Sequence, residues 1–210
     1  MAGDRTTNIL MAGVGGQGVI LASEIVSEAM MRAGYDVKKS EVHGMAQRGG
    51  SVTCNVRMGE KVRSPTVMEG SADLIIGLEP LEVLRQMKYA SEETLIFLNE
   101  APIVPPSAHL SGVKYPPLDQ ILGEISRVSK KVLTVDTVKI ALKAGNPATQ
   151  NTVMLGFIAA SERLPVRAAT LKKEIEARVP AKYRDVNLKA FELGREEYEK
   201  RVGGLAPPGL

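Results

Sequence analysis

The chain has 210 residues, 44% hydrophobic and 24% charged, which suits one globular domain large enough to bury a core without staples. With no Trp, three Phe and five Tyr, that core is aliphatic and methionine-rich, and the chain lacks the interleaved basic and aromatic residues of a nucleic-acid surface; a net charge of +3 excludes a strong electrostatic footprint as well. A single cysteine, Cys54, excludes an intrachain disulfide and a metal cluster held by this chain alone.

In chain order, residues 8–12 form a short apolar run that reads as a buried strand. Gly13, Gly15, Gly16 and Gly18 follow in GVGGQG, and residues 19–33 carry Ile20, Ile25, Val26, Ala29 and Met30 at helical spacing up to Gly34. Residues 35–42 read as a second strand, followed by the loop HGMAQRGG. In residues 51–58, Val52, Cys54, Val56 and Met58 alternate with polar residues, as in a strand with one buried face. Gly59-Glu60 reads as a turn into residues 61–63, a hairpin that makes the sheet mixed. Residues 73–78 and 94–98 are further buried strands, with a short helix over 80–88 between them.

Five prolines keep residues 101–117 irregular. Residues 131–135 read as a strand, and Asp136 as the cap of a helix running to Ala144. Helices follow: 148–163, apolar nearly all round; 166–178, amphipathic; and 185–202, a surface helix with Leu188, Phe191, Tyr198 and Val202 on one stripe. The expected architecture is α/β, a Rossmann-like three-layer αβα arrangement with a mixed, mostly parallel sheet. One domain spans 1–203, with 145–203 as its helical C-terminal part and 204–210 as a flexible tail. The N-terminal stretch lacks the form of a signal peptide, and no window holds ~18 consecutive apolar residues, so the expected location is the cytoplasm, with no membrane contact.

A strand, a G-x-G-G-x-G loop and a helix make the opening unit of a dinucleotide fold. Glycines allow close backbone approach, and the helix start favours an anion. A nicotinamide nucleotide further asks for an acid about 20 residues on, at the end of the second strand. That stretch reads Lys38, Lys39, Ser40, Glu41. The two lysines either face an extra phosphate, as on NADP or coenzyme A, or are simply solvated.

The second loop, SEVHGMAQRGGSV over residues 40–52, is expected at the same carboxyl edge of the sheet. It offers the imidazole of His43, the amide of Gln47 and the guanidinium of Arg48, with Gly49 and Gly50 allowing close approach. Arginine beside paired glycines suits a phosphate or a carboxylate. His43 and Arg48 are the candidate catalytic residues, set against a hydrogen-bonded structural histidine and an arginine paired with a partner subunit.

Four stretches in order, NILMAGVGGQGVILAS, SEVHGMAQRGGSV, SADLIIGLEPLEVLR and NTVMLGFIA, resemble the gamma-domain family of 2-oxoacid:ferredoxin oxidoreductases, and within it the small subunits of the indolepyruvate type. The resemblance implies a large (alpha) partner subunit carrying thiamine diphosphate, Mg2+ and iron–sulfur clusters. That complex decarboxylates an arylpyruvate, reduces ferredoxin and forms the acyl-coenzyme A. It implies ligand-binding roles for Gly13, Gly15, Gly16, Gln17, Gly18, Gln47, Arg48, Gly49, Gly50 and Asn151, with Gly44 in the second loop's motif, and no metal ligand in this chain. Glu79-Pro80-Leu81-Glu82 matches a further family stretch and also reads as a helix cap. Two other readings stand beside it: a free-standing NAD(P)-binding oxidoreductase, and a purely structural scaffold subunit.

Overall fold

The computed structural model describes residues 6–44, 49–103 and 114–202. The expected flexible tail at 204–210 lies outside them, as do Gln47 and Arg48. Six strands form one sheet in the order β2-β3-β1-β4-β5-β6: β1 Thr7–Val14, β2 Asp36–His43, β3 Ser51–Gly59, β4 Leu74–Gly77, β5 Leu95–Asn99 and β6 Val132–Val135. β1, β4, β5 and β6 are parallel, whereas β3 runs antiparallel to both β1 and β2.

Side chains alternate across the strands, so each face has its own core. On one face, Ile9, Met11, Cys54, Ile76 and Phe97 pack under α1 (Val19–Arg32) and the C-terminal helices. On the other, Leu10, Ala12, Ile75, Ile96 and Leu98 pack under α2 (Pro80–Arg85) and α3 (Leu118–Val128). The helices of the C-terminal part are α4 (Thr137–Ala144), α5 (Gln150–Ala160), α6 (Ala168–Arg178) and α7 (Arg184–Val202). The three-layer, mixed-sheet expectation holds.

The mixed character has a different source from the one expected. No hairpin forms at Gly59-Glu60, and residues 61–63 are not a strand; the antiparallel partners of β3 are β1 and β2. Consequently β2 is not beside β1 as in a dinucleotide fold, because β3 lies between them. Helix α3 has no counterpart in the sequence reading, although Leu118, Ile121, Leu122 and Ile125 fall at helical spacing and Ile121 and Ile125 are fully buried. Asp136 caps α4 as expected, its carboxylate accepting the Lys139 N–H at 2.8 Å.

Helix α7 is the expected surface helix with one face on the core, and Leu188, Phe191 and Tyr198 of the expected stripe pack there. Its fully buried residues are Asn187, Ala190, Phe191 and Gly194, three of which lie beyond the expected stripe. It lies against α5 so closely that a Cβ on Gly156 would strike the Phe191 carbonyl, and one on Gly194 the Val153 carbonyl. Phe157 stacks edge-on between Phe97 of β5 and Tyr198 of α7, with ring centroids 5.9 and 5.2 Å apart, so sheet, α5 and α7 form one packed stack. Among the described residues no helix is long and apolar enough to cross a membrane.

Candidate ligand cleft at the glycine loop

The carboxyl ends of β1 and β2 and the start of β3 meet beside the N-terminus of α1, and a cleft of about 960 Å³ opens there. Gly15, Gly16, Gly18 and the first turn of α1 form one wall, and His43 and Gly44 line it at the end of β2. Ile20 and Leu21 continue the lining, with Glu24 one turn on from them, at i+4 and i+3.

The two glycine loops are joined to each other. The Gly15 N–H donates to the Gly50 carbonyl at 2.8 Å, and the Gly49 N–H donates to the Gly15 carbonyl at 3.1 Å. Gly44 likewise donates to the Ser51 carbonyl at 2.9 Å. These bonds leave the N–H groups of Gly16, Gly18, Val19, Ile20 and Leu21 without a partner among the described residues. Backbone donors at this density require acceptors, which water or an anion supplies. Gly18 precedes α1 at φ 77° with no side-chain cap, and Gly16 has φ 102° with open space where a Cβ would be. A left-handed backbone at these two positions is what their glycines supply.

The remaining motif residues sit beneath the loop. Gln17 is only 2% exposed: its Oε1 accepts the Val14 N–H at 2.9 Å and its Nε2 donates to the Leu78 carbonyl at 2.6 Å. Gly13 is small because a Cβ would lie 2.8 Å from that same Oε1. Asn151, at the start of α5, is 3% exposed and donates from Nδ2 to the Gly18 carbonyl at 3.2 Å. Of the sequence-predicted residues, the structure therefore brings Gly15, Gly16, Gly18 and His43 to the cleft. It joins Gly49 and Gly50 to Gly15 by backbone hydrogen bonds, and places Gly13, Gln17 and Asn151 behind the loop.

The EPLE stretch turns out to connect the site. Glu79 is the N-cap of α2 and accepts the Glu82 N–H at 2.8 Å, with Pro80 in the first turn. Its other oxygen accepts from the Tyr115 hydroxyl and from the Ile103 N–H at 3.3 Å. Burial, reinforced by the hydrogen bond to Glu79, pushes the Tyr115 phenol well above its ordinary range. Glu82, also buried, accepts from Arg85 at 2.7 Å and from the Ser51 hydroxyl at 2.6 Å, at the root of the second loop.

Lys38 and Lys39 are neither free nor in the cleft lining. Lys38 pairs with Asp36 at 2.7 Å, and Lys39 pairs with Glu41 at 2.6 Å and reaches Glu24 at 3.7 Å. Glu24 and Gln150 are site-building residues that the sequence reading missed, and Glu82 was singled out only within a helix-capping stretch. For Glu24 the signal was present, four residues beyond Ile20 on the same helix face. Long-range partners such as Gln150, 133 residues from Gln17, leave no local signal.

The chain matches the family described as pyruvate ferredoxin/flavodoxin oxidoreductase over residues 8–197. The chain belongs to that family. Within the family it is 42% identical to the indolepyruvate oxidoreductase subunit IorB of Archaeoglobus fulgidus, over 94% of this chain and 96% of that one. It is 40% identical to IorB of Thermococcus kodakarensis, over 93% and 98% of the two chains. The family fold recurs in 2-oxoglutarate:ferredoxin oxidoreductase from Magnetococcus marinus, solved with 2-oxoglutarate, coenzyme A and succinyl-CoA bound. There the TM-score is 0.70 at 18% identity, over 94% of this chain and 32% of that one. The chain is thus a small subunit within this oxidoreductase family, as the resemblance implied.

Proposed function

We propose that this chain is the small subunit of an indolepyruvate-type 2-oxoacid:ferredoxin oxidoreductase. The complex oxidatively decarboxylates an arylpyruvate, passes the two electrons to ferredoxin and transfers the acyl group to coenzyme A. The observation that carries the reading is 40–42% identity, across nearly the whole chain, to four IorB subunits. In this reading the chain is a single domain and works in the cytoplasm with a large subunit. Thiamine diphosphate, Mg2+ and iron–sulfur clusters belong to that partner and supply decarboxylation and single-electron transfer.

This chain binds and orients. The unpartnered N–H groups of Gly16, Gly18 and the first turn of α1 face an anion of coenzyme A, and the cleft beside them is large enough for part of that molecule. The helix dipole adds roughly 0.3–1 kcal/mol for an exposed anion and up to ~2 kcal/mol for a partly buried one. Arg48 pairs with a phosphate or with the substrate carboxylate, and His43 stands at the cleft for proton transfer or hydrogen bonding to the ligand.

The test is anaerobic co-purification from the native host, followed by dye reduction. The expected result is a large brown partner and reduction that requires both an arylpyruvate and coenzyme A. In that complex Arg48→Met lowers turnover while assembly is kept. A lone, colourless chain that binds NADPH overturns the reading.

A further inference from the structure

The glycine loop of a phosphate site is usually described by the groups that touch the ligand. Here the loop's shape is held from behind by one buried amide. Gln17 satisfies two backbone groups at once, the Val14 N–H at 2.9 Å and the Leu78 carbonyl at 2.6 Å. A primary amide accepts through its oxygen and donates through its nitrogen, and the orientation of the Gln17 amide follows from those two partners. The Leu78 carbonyl also accepts from Asn99 Nδ2 at 2.9 Å, so the loop is registered against the ends of β1, β4 and β5 together. On the far side, Gln17 Nε2 contacts Gln150 Oε1 at 3.4 Å, and Asn151 holds the Gly18 carbonyl, tying the same loop to the start of α5.

We propose that Gln17, with Asn151 behind Gly18, is a positioning residue for coenzyme A rather than a ligand of it. The amide takes up the Val14 N–H and fixes the turn, and so presents the N–H groups of Gly16, Gly18 and Val19 to the cleft in one geometry. The inference rests on the coenzyme A reading of the loop. It separates Gln17 from the glycines with which it shares a motif, because its side chain is 2% exposed and lies outside the cleft lining. A brace of this kind acts on binding through pre-organisation: the ligand no longer bears the cost of ordering the loop.

The experiment uses the assembled complex carrying Gln17→Met, which keeps length without hydrogen bonds, or Gln17→Asn, which keeps the amide's donor and acceptor on a shorter stem. Each is measured for the melting midpoint, kcat and the KM values of coenzyme A and of the 2-oxoacid. Gly16→Val is run in parallel, since that position faces open space at φ 102° and perturbs the loop directly. The expected result for Gln17→Met is a lower melting midpoint together with a KM for coenzyme A raised roughly tenfold, the scale of one well-made hydrogen bond, while the KM for the 2-oxoacid stays put. Gln17→Asn gives a smaller change in the same direction and keeps the test alive if the methionine variant fails to fold. A lower midpoint with an unchanged KM for coenzyme A makes Gln17 merely structural and overturns the proposal. An unchanged midpoint with a raised KM makes it a direct ligand and overturns it too. If Gly16→Val raises that KM and neither Gln17 variant does, only the positioning role falls. If none of the three moves it, the coenzyme A reading falls with it.

Discussion

Replacing Gly156 or Gly194 by alanine should destabilise this protein, against the usual behaviour of glycine in a helix. On propensity alone, alanine gains about 1 kcal/mol in a helix interior. At the α5–α7 crossing, however, the new Cβ of Gly156→Ala meets the Phe191 backbone, and that of Gly194→Ala meets the Val153 carbonyl and sits 3.1 Å from the Phe157 nitrogen. A flexible side-chain tip moves aside cheaply, but backbone does not, so the helices must separate. Overpacking costs about 1–3 kcal/mol and occasionally more, and rigid neighbours put these sites at or above the top of that range. After the propensity gain, a net loss of about 2–3 kcal/mol remains for each variant, or a fall of about 4–12 °C in the melting midpoint for a chain of this size. The assay is urea and thermal unfolding of the full chain followed by far-ultraviolet circular dichroism. Because one separation of the helices relieves both clashes, the double variant should cost less than the sum of the singles. A neutral or stabilising effect of either single variant, or strict additivity of the pair, refutes the argument.

Three further outcomes follow from the core and a helix cap. Cys54 is fully buried, and burial pushes its thiol above its ordinary value, so alkylating reagents at pH 8 should label it only as the chain unfolds. The same shift favours the folded state below the thiol's ordinary ionisation range, a contribution that is lost as pH rises toward the folded value. Urea midpoints should therefore drop on the alkaline side in the wild type and drop less in Cys54→Ala. Asp136→Ala removes the cap of α4 and should cost about 1 kcal/mol in equilibrium unfolding, whereas a neutral effect shows that water replaces the carboxylate at Lys139 N–H.

Much of the site was legible because it is built from local chain features. Gly16 and Gly18 announce left-handed backbone beside a helix start, and the strand–loop–helix order puts that start at the sheet's carboxyl edge. The meeting of the two glycine loops followed from the same logic, and it is realised through the Gly15–Gly50 and Gly49–Gly15 hydrogen bonds. Gln17 and Asn151 were legible as motif members but not as what they are, since nothing in GVGGQG says which side chain points to the cleft and which to the interior.

The sequence by itself determined the elements whose signals are local: the buried runs of β1, β4 and β5, the amphipathic α1, the Asp136 cap and the two glycine loops. Periodicity, capping and turn chemistry are properties of neighbours along the chain, and they survive in any surroundings. Only the tertiary structure decided that β3 lies between β1 and β2, that Glu82 reaches Ser51 and Gln17 reaches Leu78, and that two helix glycines are contact points between α5 and α7. Those facts depend on which buried polar group finds a partner and how near two backbones come when the core closes. Burial and hydrogen bonding are satisfied between residues far apart in the chain, where sequence spacing carries no distance.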